Sequence, residues 1–156
     1  MKKVFKTFMA LVLAVFTLAG CAKEVTPIDG AQFEAKAEEL GYFVYDQSDM
    51  TKEDNPLIDQ SVCAFSKYDQ NLTFEFDVYL EEKDAIDLFN YLVVSFEYAR
   101  EKGTKATVVQ EENFYQMSLD DTYFYYVRRA GKTLFISVTT EVYKADVIAM
   151  AEAIGY

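Results

Sequence analysis

Tyr123-Phe124-Tyr125-Tyr126-Val127-Arg128-Arg129 is the stretch whose residue types come nearest to a recognition surface. In a strand, Tyr123, Tyr125 and Val127 share one face, and Phe124, Tyr126 and Arg128 share the other. Tyrosine and arginine are favoured where one molecule grips another, so Tyr123, Tyr126 and Arg128 form a candidate binding surface for a protein or glycan. The competing reading is a central strand knitted to its neighbours by cross-strand aromatic pairs. Arginine is scarce: Arg100 is the only other one. Glu75 and Asp77 are a second candidate, two carboxylates at i and i+2 on one strand face. A glycosidase needs such a pair, but among 26 acidic residues a close pair is expected by chance.

Much chemistry is excluded. The chain has no histidine. Ser-His-Asp and Cys-His catalysis are therefore absent, as are histidine-ligated zinc and iron. The acidic stretch from Asp46 to Gln60 reads as a long loop. It lacks the alternating oxygen ligands and glycine of a calcium loop, since Met50 falls on a ligand position. No cofactor, no metal and no catalytic residue is expected. Cys63 lies in the apolar run Ser61-Val62-Cys63-Ala64-Phe65 and reads as a buried small hydrophobe.

The elements around these residues are legible from periodicity. Asp29 and Gln32 are spaced for a capping box, and Phe33, Ala37 and Leu40 give the helix an apolar stripe that ends at Gly41. Tyr42–Tyr45, Ser61–Tyr68 and Leu72–Leu80 read as strands, the last with strict alternation. Glu82–Lys102 reads as the longest helix. Four short strands follow, Lys105–Gln110, Phe114–Leu119, Thr122–Arg128 and Thr133–Thr139, and then a helix from about Tyr143 to Ile154 with Thr140 as a candidate cap. The order α-β-β-β-α-β-β-β-β-α predicts an α+β fold. Its sheet is mainly antiparallel, with about six to seven strands and two or three helices packed on one face.

The N-terminus is of another kind. Lys2, Lys3 and Lys6 precede an apolar run from Phe8 to Leu18, too short to span a bilayer, which needs roughly 20 residues. Leu18-Ala19-Gly20-Cys21 then resembles the lipobox of bacterial lipoproteins. The resemblance covers residues 1–21 and implies a signal peptide, 1–20, cut between Gly20 and Cys21. It further implies a diacylglyceryl group on the Cys21 sulfur. Two acyl chains anchor a protein stably where one does so marginally. Residues 21–28 would be a short tether, reaching about 25 Å at most, and 29–156 a single globular domain. Without the three signal lysines the chain carries 12 basic and 26 acidic residues, a net charge of −14. That excludes nucleic acid as a partner, because counterion release needs a basic stripe.

The expectation is a non-enzymatic binding module, held by lipid on the extracytoplasmic side of a bacterial cell membrane. Its partner would be an envelope protein or a glycan. A small carboxylate-dependent hydrolase and a carrier of an apolar ligand are the alternatives.

Overall fold

The computed structural model describes residues 25–100 and 104–156. Its first helix, α1 (Gly30–Glu39), starts at the expected capping box. Gln32 N–H donates to Asp29 Oδ1 at 2.8 Å, and Asp29 N–H donates back to Gln32 Oε1 at 3.0 Å. Gly41, at φ +88°, ends the helix in the left-handed conformation that glycine adopts without strain.

The chain continues through β1 (Phe43–Asp46), α2 (Ser48–Asp54), β2 (Ile58–Phe65), β3 (Thr73–Tyr79) and α3 (Glu82–Ala99). Then come β4 (Ala106–Glu111), β5 (Phe114–Leu119), β6 (Tyr123–Ala130), β7 (Thr133–Thr140), a 3-10 turn (Glu141–Tyr143) and α4 (Lys144–Ala153). The seven strands form one antiparallel sheet in the order β1-β2-β3-β7-β6-β5-β4. The α+β class and the seven strands agree with the sequence reading.

Four expectations are corrected. The helices do not share one face. Phe33 and Ala37 of α1 and Val147, Met150 and Ala151 of α4 pack with Phe74, Phe76, Phe124, Tyr126 and Phe135. Ala85, Phe89 and Phe96 of α3 pack with Tyr115, Met117, Val127, Leu134 and Ile136 on the opposite face. The cause is in β6 and β7, which are apolar on both sides and need cover on both.

The acidic stretch from Asp46 is not a continuous loop. It holds α2, whose start is fixed by Asp46 Oδ1 accepting from Ser48 N–H at 2.9 Å and from Ser48 Oγ–H at 2.5 Å. None of its seven residues is buried, so it has no apolar stripe to betray it. Strand β2 also begins three residues early, at Ile58, and a bulge before Gln60 turns Ile58 into the α3-side core beside Tyr79. Finally, Thr140 makes no side-chain cap; the 3-10 turn intervenes before α4.

Candidate functional site

β6 lies inside the sheet between β7 and β5. The structure places its candidate residues apart. Tyr126 is 3% exposed, with its ring against Phe114 (5.2 Å between centroids) and Phe135 (5.6 Å). Burial pushes its phenol pKa up, opposed by Arg128 beside it. Tyr123 is 49% exposed, but it lies on the other face and at the other end of the strand. It lines a shallow hollow with Thr73, Val138 and Thr140. Tyr126 is thus a core residue, and Tyr123 and Arg128 do not share a surface.

Arg128 does sit in a cleft. The cavity is about 500 Å³, within the range of small-molecule sites. Three chain segments wall it. Val25 and Pro27 come from the N-terminal segment, Glu111 to Phe114 from the β4–β5 turn, and Arg128 to Gly131 from the β6–β7 turn; Glu82 at the start of α3 completes it. Phe114 and Arg128 are directly opposite across β5 and β6, and Glu111 is opposite Phe114 across β4 and β5. Glu111, Phe114 and Arg128 therefore stand in one row on one face of the sheet.

The two arginines have different jobs. Arg129 is 9% exposed, and its guanidinium makes three hydrogen bonds. One guanidinium nitrogen donates to Glu82 Oε1 and to the Gly131 carbonyl, both at 2.8 Å, and the other donates to Asn113 Oδ1. Arg129 N–H also donates to the Asn113 carbonyl at 2.9 Å. It is a brace that ties α3 and two turns together. Arg128 lies over the Phe114 ring, 5.1 Å from its centroid. Among the described residues it has no carboxylate within ion-pair distance. A half-buried cation without a counterion, seated on an aromatic floor in a concave site, is available to a ligand.

The carboxylates Glu75 and Asp77 lie on the α3-side face of β3, in register with Cys63 and Ser61 of β2. Asp77 is 2% exposed. Its Oδ1 accepts from Ser61 Oγ at 2.6 Å, and Ser61 Oγ accepts from Gln47 Nε2 at 3.0 Å. Burial, with Glu75 beside it, pushes its pKa up to about 7, against the opposing Ser61 hydrogen bond. Glu75 is raised by burial too. A carboxylate this enclosed has no access to a polysaccharide. Asp77, through Ser61, is a polar strut between β3 and β2. Cys63 is half-buried rather than buried. Burial, and then the charges of Glu75 and Asp77, push its thiol up, so it stays protonated and weakly nucleophilic.

Comparison with protein-family models, characterised proteins and solved structures found no match. Gly20, Cys21 and the signal segment 1–20 lie outside the described residues, as does the tether up to residue 24. Among the described residues, no helix is long and apolar enough to cross a membrane, and no group of side chains is arranged to hold a metal.

Glu111, Glu112, Asn113, Phe114 and the wall formed by Val25 and Pro27 escaped the sequence reading. The scarcity of arginine was the signal that found Arg128. Nothing comparable marked the others.

Proposed function

We propose that this chain is a lipid-anchored binding module on the extracytoplasmic side of a bacterial cell membrane. It works without catalysis, and its ligand enters the Arg128 cleft. The observation that carries this reading is the placement of Val25 and Pro27 in the cleft wall. Val25 follows Cys21 by four residues, a span of about 14 Å at most. A diacylglyceryl group on Cys21 would hold the cleft near the lipid headgroups. The domain's charge would not: a net −14 is repelled by anionic headgroups, so the anchor must supply the attachment.

Fractionation tests the anchor. Cells producing the native chain and Cys21→Ala are separated into membrane and soluble extracytoplasmic fractions. The native chain is expected in the membrane and the variant outside it. Equal partition of the two would overturn the reading.

The alternative of an apolar carrier is disfavoured by packing. Between the sheet and α3, where such a cavity would lie, Tyr115, Met117, Val127 and Leu134 have no exposed surface and pack with Phe89 and Phe96. The hydrolase alternative loses its best pair with the enclosure of Asp77.

A further inference from the structure

The charges around the Arg128 cleft are of both signs, and their arrangement narrows the ligand. Arg128 rests on one side of Phe114, and Glu111 stands on the other side in the same cross-strand row. With strands about 4.8 Å apart, the two backbones are about 10 Å from each other. Glu112 also lines the cavity. Arg129 pairs with Glu82, so among the described residues the cleft groups without an ion pair are the Arg128 guanidinium and the carboxylates of Glu111 and Glu112.

A simple anion would meet Arg128 but be repelled by Glu111 and Glu112. A simple cation would meet the reverse. A ligand with an anionic end, a cationic end and a body between them satisfies both and lies along the Phe114 ring. The Asn113 carboxamide gives its oxygen to Arg129, which leaves its N–H donors for the same cavity.

From this row we infer that the cleft binds a short extended peptide with free termini. Its carboxylate pairs with Arg128 and its ammonium with Glu111. At about 3.3 Å per residue, three extended residues match the spacing of the two strands that carry Arg128 and Glu111. Guanidinium is the side chain suited to a planar carboxylate, which it can hold in bidentate fashion. The inference rests on reading the chain as a binding module. It does not depend on the lipid.

The test is calorimetry on the purified full chain with trialanine, N-acetyl-trialanine and trialanine amide. Trialanine is expected to bind, and blocking either terminus to weaken binding at least tenfold. Arg128→Gln should lose the preference for a free carboxylate, and Glu111→Gln the preference for a free amine. Both residues are outside the core, and unchanged thermal unfolding verifies that each variant is folded. No heat with trialanine, or equal affinity for the three peptides, would overturn the inference. Tight binding of glycerophosphoethanolamine alone would also overturn it, in favour of a lipid headgroup. Cys21→Ala should bind trialanine like the native chain, so failure of the anchor and failure of the ligand are read separately.

Discussion

Arg128 and Phe114 face each other across β5 and β6, with the guanidinium 5.1 Å from the ring centroid. The pair gives the cleft its floor and its one cation without an ionic partner among the described residues. An exposed cation–π contact contributes about 0.5–1 kcal/mol. Arg128→Gln should therefore lower unfolding free energy by no more than about 1 kcal/mol, measured by urea denaturation. A loss of several kcal/mol would make Arg128 a structural residue rather than a ligand contact.

Arg129 should behave differently. Its bonds to Glu82, Asn113 and Gly131 are made from a buried guanidinium, and hydrogen bonds to charged groups contribute about 1.5–3 kcal/mol. Arg129→Ala is expected to cost about 3 kcal/mol or more. Glu82→Gln should cost under about 1 kcal/mol, because the Glu82 side chain is largely exposed and its charge well solvated. Equal losses from the two would show that the ion pair, and not the enclosed guanidinium network, holds these turns.

The sheet was legible because its signals are local. Leu72 to Leu80 alternates strictly, and the Asp29–Gln32 box sits where the spacing placed it. The assignment of faces was not legible. A helical stripe says that a helix is covered, not which side of the sheet covers it, and α3 went to the side opposite α1 and α4. The cleft was hidden for a related reason. Its residues come from positions 25, 27, 82, 111–114 and 128–131, which only the folded chain brings together. Even the Phe114–Arg128 pair was out of reach. A two-residue turn at Asp120-Asp121 would set Phe114 opposite Val127, but the loop also includes Thr122 and shifts the register by one.

That loop offers its own test. Asp120 and Asp121 both have positive φ, 54° and 53°, a conformation that costs a residue with a Cβ about 1 kcal/mol. Asp121→Gly should raise stability by a few tenths to about 1 kcal/mol, and Asp121→Val should lower it. Thermal unfolding of the two variants distinguishes these signs. A destabilising glycine would mean that the aspartate side chain secures the loop.

Asp77 predicts a pH dependence. Its pKa is about 7 in the folded chain against an ordinary 3.8. Between these values the folded state holds a proton that the unfolded state has released. Stability due to this group therefore falls as pH rises through the window, and the full penalty is present above it. Glu75 is shifted in the same direction. Asp46 and Asp69 are held low by their hydrogen bonds, so their contribution is complete well below pH 5. The native chain should unfold at lower urea at pH 8 than at pH 5. Asp77→Asn keeps an oxygen for Ser61 and should flatten that difference and be the more stable form at pH 8. A native chain that gains stability from pH 5 to pH 8 would contradict the assignment.

A diacylglyceryl group on Cys21 would bring the Arg128 cleft to the membrane. The measurement that reaches this anchor most directly is the intact mass of the chain extracted from bacterial membranes. The expected mass is that of residues 21–156 with a diacylglyceryl group added. A chain that keeps residues 1–20, or one that begins at Cys21 without added mass, would contradict it.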